Sequence, residues 1–205
     1  MIKICHADAL GAFPVLAHSM FRDRAAQFHD RLGWAVSVDA KGEERDQYEG
    51  ECPLYVIATD PDGSHAGSLR FLPTVGRTMV NDHFRHLAGA PISDPNIWEC
   101  TRFCLAPGAL PKTAAQLMLA SAELGIASGL THSVGVFDAR MILVYRRLGW
   151  LPEVLGTHGD GIDQISVGLW AFTADVLPRL RAKAGIGAEV SRHWVTRSLG
   201  PRLAA

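Results

Sequence analysis

The order of elements is set by NIWECTRFCLA at 96–106, then PKTAAQLMLASAELGIASG at 111–129 and LTHSVGVF at 130–137. The first and third stretches are short and rich in β-branched and aromatic residues, and read as strands. The middle stretch is long and apolar, opens at Pro111 and closes at Gly129, and reads as a helix. Strand, helix and strand in this order predict parallel pairing through a right-handed crossover.

Upstream, LYVIAT after Pro53 and SHAGSLRFLP at 64–73 form a hairpin about the turn Asp60-Pro61-Asp62-Gly63, and a short helix follows at Met79–Leu87. The first 30 residues read as helical, with Phe13, Leu16, Met20, Phe21, Phe28 and Leu32 at helix spacing and Gly33 as the stop. Downstream, DARMILVYRRLG starts at an Asp cap and ends at Gly149. Two strands at 151–158 and 161–172, a helix at 173–184 and an irregular basic tail complete the chain. The class is therefore α/β: one domain over 1–205, three layers α/β/α, a mixed central sheet with helices on both faces.

Residues 39–52, DAKGEERDQYEGEC, hold six acidic residues and too few apolar ones for a core. They predict a mobile surface loop. The formal charge of −1 gives no global attraction to nucleic acid. An apolar run at Ala9–Ala17 follows Lys3, but Asp8, His18, Arg22, Asp23 and Arg24 around it argue against an export signal. No uncharged apolar run approaches the roughly 18 residues of a membrane span. Cysteines 5, 52, 100 and 104 lack metal or CxxC spacing. On one strand Cys100 and Cys104 stand roughly 13 Å apart, too far for a disulfide. Reduced, buried thiols in a cytoplasmic protein are the expectation.

Charges in strands carry the functional reading. Arg70 lies in an otherwise apolar strand, and Glu99 and Arg102 lie in another. Lone buried charges are costly, so these are either an Arg–Glu lock between strands or the edge of a cleft. GSLRFLPT at 67–74 is followed, 28 residues after its arginine, by WECTRF at 98–103. Before them stand Arg24 and Phe28, then Leu32-Gly33-Trp34, then Glu44-Arg45-Asp46-Gln47-Tyr48-Glu49. This series resembles the autoinducer synthase family of the LuxI type, whose acidic loop has the form ExDxYD. The resemblance spans about 20–105, and more weakly RRLGW at 146–150. Glu49 departs from it, since the family usually has Asp there.

The resemblance implies an acetyltransferase-like (GNAT-like) fold and an acyl-homoserine lactone synthase. The amine of S-adenosylmethionine, a substrate rather than a cofactor, attacks an acyl thioester on acyl carrier protein or coenzyme A. The methionine carboxylate then closes the lactone and 5′-methylthioadenosine leaves. Such chemistry needs a base for the amine, a cation for the carboxylate, and anions or aromatic faces for the sulfonium. Arg24, Arg70 and Arg102 are candidates to clamp the carboxylate and balance the acids. Asp46 and Glu49 can face the amine or sulfonium, and Phe28 and Trp34 can line the adenosyl pocket. Glu99 is the first choice of base, through water, with Glu44 as the alternative. On a regular strand Glu99 and Arg102 point to opposite faces. Either a bulge brings them together, or Glu99 serves the thioester while Arg102 braces the acidic loop.

Phe103, Met118, Gly135, Met141 and Leu143 are candidates for the acyl pocket, beside the core set Leu117, Leu119, Leu124 and Ile126. Gly135 falls where relatives that make 3-oxo products often carry Thr, so an acyl group without a 3-oxo substituent is expected. His83 and His86 form an HxxH without a third ligand, and no metal is expected. Arg140, Arg146, Arg147, Arg179, Arg181 and Lys183 are solvated or dock a carrier protein. Two competing readings are a coenzyme A-dependent N-acetyltransferase and a non-enzymatic sensor of S-adenosylmethionine or an acyl ligand. The first is disfavoured by APGALPKT at 106–113, which lacks the glycine-rich pyrophosphate loop such enzymes place before this helix.

Overall fold

The computed structural model describes residues 1–199. Seven strands form one sheet: β1 (Ile2–His6), β2 (Leu54–Thr59), β3 (His65–Pro73), β4 (Ile97–Leu105), β5 (His132–Asp138), β6 (Glu153–His158) and β7 (Ile165–Ala171). Their order is β1-β2-β3-β4-β5-β7-β6. Every neighbouring pair is antiparallel except β4–β5, which is parallel, as the strand–helix–strand order predicts.

Helix α1 (Ala7–Leu10) is a single turn, and α2 (Pro14–Ala25) packs over β3 and β4 and continues as a π-helical turn over Ala26–Arg31. Short helices α3 (Met79–His83) and α4 (Arg85–Ala88) lie between β3 and β4 in sequence. On the sheet face opposite α2, α5 (Thr113–Ala127) crosses β1, β2 and β3 and supports α7 (Val176–Ala184) and α8 (Ala188–Leu199). Helix α6 (Ala139–Leu148) is capped by Asp138, whose carboxylate accepts from the amides of Arg140 and Met141. It ends at Gly149, where φ is +82°.

Two parts of the chain differ from the sequence expectation. The first residues are not wholly helical: Ile2 and Ile4 are buried while Lys3 and Cys5 are only half-buried, and this period of two makes an edge strand. The tail after 185 is not irregular through its described part. There α8 closes on α5, where buried Glu123 accepts from Arg181 and Ser191.

Two irregularities open the sheet. Between β3 and β4 the register passes from Arg70↔Thr101 to Ser68↔Cys104, two residues on one strand against three on the other. The bulge is made at Arg102, whose φ of +55° is left-handed, a conformation costly for a residue with a side chain. On its other side β4 pairs with β5 only over Ile97–Glu99 and His132–Val134, before the bulge, although both strands run further. The strands splay from that point.

Packing on the α5 face leaves little slack. A Cβ added at Gly125 in α5 would stand 2.4 Å from the ring of Phe172. Gly125→Ala should therefore destabilise by about 1–3 kcal/mol, although alanine is the better helix former. The check is a urea melt, and a raised midpoint would show that Phe172 moves aside freely.

Candidate active site

Three arginines and three carboxylates from four parts of the chain meet beneath α2. Arg24 of α2 donates from Nε to Glu44 at 2.6 Å and from Nη1 to Glu49 at 2.9 Å. Arg70 of β3 grips both oxygens of Asp46 at 2.6 and 2.8 Å, and also reaches Glu49 at 3.0 Å and Thr101 at 3.0 Å. Arg102 joins Glu44 at 2.9 Å to Asp46 at 2.8 Å. Tyr55 of β2 donates to the other oxygen of Glu49. Arg24, Glu44 and Arg70 have almost no contact with solvent. Burial of this kind holds only because the charges alternate and each carboxylate is shared.

The bulge places Arg102 in this set. A regular β4 would aim Arg102 away from Thr101, which bonds Arg70. The extra residue turns it to the same face. Arg102 braces the acidic loop, and the bulge also brings it to the face that carries Glu99. The loop itself corrects the view that 39–52 builds no core. Glu44 and Tyr48 are buried, and Gln47–Glu51 form a 3-10 turn capped by Asp46, which accepts from the amide of Tyr48.

Charge balance sets the proton affinities. Burial alone would raise the Asp46 carboxyl, but the hydrogen bonds and charge of Arg70, with Arg102 and Arg24, hold it below the usual range. Burial opposes the charge of Arg70, and Asp46 and Glu49 more than restore it. Glu99 behaves differently. Burial pushes it up to about 7, against the amides of Val80 and Met79, which donate to it at 2.5 and 3.0 Å, and the charge of Arg70. The thiols of Cys100 and Cys104 are pushed by burial up to about 12, so neither is a thiolate at neutral pH. All four cysteines are free, and Cys52 is exposed rather than buried.

A cavity of about 1080 Å³ runs from this network through the gap between β4 and β5 to the space under α5 and α6. Asp46, Arg102, Phe28 and Trp34 line it on the network side. Phe28 and Trp34 stack at 5.2 Å with 11° between their planes, and the Arg102 guanidinium lies 5.4 Å from the Phe28 ring. Trp34 is 40% exposed, which marks this as the mouth. Phe103, Met118, Gly135 and Met141 line the far chamber.

Several expected residues do not reach the cavity wall. Arg24, Arg70, Glu44 and Glu49 stand behind Asp46 and Arg102, and Glu99 stands behind Met79. Leu143 is no part of the acyl chamber: it is 49% exposed, on the outer side of α6. Sequence reasoning missed Tyr55, Thr101 and the Met79 and Val80 amides. Thr101 sat inside the WECTRF motif, whereas nothing in the sequence marks the amides. Among the described residues no three His, Cys, Asp or Glu side chains gather as metal ligands, and no helix is long and apolar enough to cross a membrane.

A mixed sheet split at β4–β5 with helices on both faces defines a single-domain, acetyltransferase-like α/β fold. Solved structures share it: the CoA-dependent acyl-homoserine lactone synthase MesI superposes with a TM-score of 0.81 at 24% identity, covering 92% of this chain and 97% of that one. The CoA-dependent acyl-homoserine lactone synthase BjaI, with SAM and isopentyl-CoA, gives 0.81 at 22% identity, covering 92% and 90%. An acyl-homoserine-lactone synthase of Rhizobium etli is 43% identical over 190 residues, 89% of each chain. The autoinducer synthase family matches residues 14–176, and the chain belongs to that family.

The network makes a stability prediction. Removing Glu44, which solvent does not reach, leaves the guanidinium groups of Arg24 and Arg102 short of a partner. Glu44→Ala should cost about 3–5 kcal/mol. Denaturant titration measures this, and a loss below 1 kcal/mol would mean that the network reorganises around the gap.

Proposed function

We propose that this chain is an acyl-homoserine lactone synthase that joins an acyl group to the homoserine part of S-adenosylmethionine. The observation that supports this best is the cavity itself. One end is ionic and aromatic, the other is an apolar chamber, and a split in the sheet connects them. A zwitterionic sulfonium substrate fits the first end and an acyl chain fits the second, with the two reacting groups meeting at the split.

The Phe28–Trp34 stack and Asp46 hold the adenosyl sulfonium, and Arg102 takes the substrate carboxylate, with Arg70 fixing Asp46 from behind. The amine of S-adenosylmethionine loses a proton to Glu99, through water that passes Met79 from the cavity, and attacks the thioester carbonyl. An amide forms and the carrier leaves as a thiol. The carboxylate then displaces 5′-methylthioadenosine from the γ-carbon and closes the lactone. The donor is an acyl thioester of acyl carrier protein or coenzyme A.

Incubating the purified protein with S-adenosylmethionine and a set of acyl thioesters on both carriers tests the reading. Lactone and 5′-methylthioadenosine should appear in equal amounts. Release of free thiol without 5′-methylthioadenosine would mark a simple N-acetyltransferase instead. Folded Arg70→Ala should lose at least about a hundredfold in kcat/KM, and Arg70→Lys should restore little because it lacks the two-pronged grip on Asp46.

The pH profile follows from Glu99. Its carboxylate is the active form, and its proton affinity lies at about 7. Activity should therefore fall as the pH drops below about 7, and Glu99→Gln should be slow at every pH without that limb. A Glu99→Gln enzyme with the wild-type acid limb would remove Glu99 from the mechanism.

A further inference from the structure

Glu99 is buried, and among the described residues its carboxylate accepts hydrogen bonds only from the amides of Met79 and Val80, at 3.0 and 2.5 Å. Those amides open α3, so the place of α3 decides how the carboxylate is held. Three side chains fix this short helix. Val80 is buried in one cluster with Leu87, Val134 and Val167. Asn81 is tied to the backbone of Ile92 in both directions, at 2.7 and 2.9 Å. Asp82 reaches toward the acidic loop instead, and accepts from the Tyr48 hydroxyl at 3.0 Å and from Arg77 at 2.9 Å. Arg77 is exposed, so its share of the hold is small. Tyr48 is buried in the turn that Asp46 caps, and both Tyr48 and Met79 line the cavity. Burial, then the bond to Asp82, push the Tyr48 hydroxyl up to about 12, so it stays a donor.

The Tyr48–Asp82 bond thus joins the turn that carries Asp46 to the turn that carries both donors of Glu99. We propose that Asp82 is a positioning residue: through Tyr48 it fixes α3 against the acidic loop and so keeps the Met79 and Val80 amides on the Glu99 carboxylate. This inference rests on the acyl-homoserine lactone synthase reading and on Glu99 as its base. The charged and titratable groups around Glu99 are Arg70 from β3, Asp46 and Tyr48 from the loop, Arg77 and Asp82 at α3, and the protonated thiol of Cys100 on β4 itself. From β5 it meets Val134, which has no charge. Slackening the two amides favours the protonated acid and moves the acid limb to higher pH. Removing the negative charge of Asp82 acts the opposite way, by favouring the carboxylate. Tyr48→Phe removes no charge at neutral pH and isolates the first effect. Val80 and Asn81 still hold α3 in every such variant, so the fold is kept.

The experiment measures kcat and KM for lactone formation by the full chain across pH. At about pH 6, Tyr48→Phe should lower kcat by about tenfold, the worth of one buried hydrogen bond. The deficit should close to less than about twofold at about pH 9, where Glu99 is ionised in both enzymes. Asp82→Ala should move the acid limb the same way by less, and the double variant should be no slower than Tyr48→Phe alone. Asp82→Asn keeps an acceptor for Tyr48 and should stay within about threefold of the wild type. In a Glu99→Gln enzyme, Tyr48→Phe should cost nothing further. A deficit of equal size at both pH values would overturn the proposal, as would one that persists in Glu99→Gln. A raised KM for S-adenosylmethionine with kcat unchanged would overturn it too, because the bond would then serve the acidic loop alone. Wild-type protein that forms no lactone from any donor would reject the functional reading and this proposal with it.

Discussion

Glu44 has no contact with water, and its two oxygens are held by Arg24 from α2 and Arg102 from β4. A carboxylate so placed ties a helix, a loop and a central strand into one body, and it does so only while both guanidinium groups stay aligned. The bulge at Arg102 follows from this. Its left-handed backbone is unfavourable by itself, yet without it Arg102 would point to the opposite sheet face and the network would hold two cations against three anions. The gain in charge pairing outweighs about 1–2 kcal/mol of backbone strain. The bulge lies just past Glu99, where β4 parts from β5, so the charge network stands beside the opening of the cavity.

Much of this was legible beforehand. Arginines in apolar strands, and the crossover from β4 through α5 to β5, both follow from rules that act within one segment. Glu99 and Arg102, three apart, even posed the bulge as one of two solutions. The choice between them was not legible, because it depends on where Glu44 and Asp46 lie, 58 and 56 residues away in sequence. The acidic loop was misjudged for the same reason. Counted alone, DAKGEERDQYEGEC is too polar to bury; it is buried because cations from three distant elements meet it. The early strand failed differently. Ile2 and Ile4 give only one period of two, too little to stand out beside the helix pattern that begins at Phe13.

The expected site residues divide by depth. Those with aromatic rings or at the bulge reach the cavity, while Arg24, Arg70, Glu44 and Glu49 make a supporting layer. A motif contains both kinds, since a buried support tolerates change as poorly as a contact does. Sequence position cannot separate them; only the cavity wall does. Leu143 shows the limit on the apolar side. Met141 and Leu143 are two apart on a helix, so they point roughly 200° apart, and only one of them can face the chamber.

The chamber wall also shows why residue identity at one position is a weak guide to the tail. Gly135 offers the chain no side chain, but its space is not empty. Trp170 leans across from β7 into it, and the carbonyl of Cys100 stands 3.1 Å from the position of a Cβ. A hydroxylated side chain at 135 would have to displace an indole that Phe137 and Tyr145 hold in place. Position 135 and position 170 therefore act as one unit across the two strands. The small residue permits the large one, and the large one sets the width of the chamber.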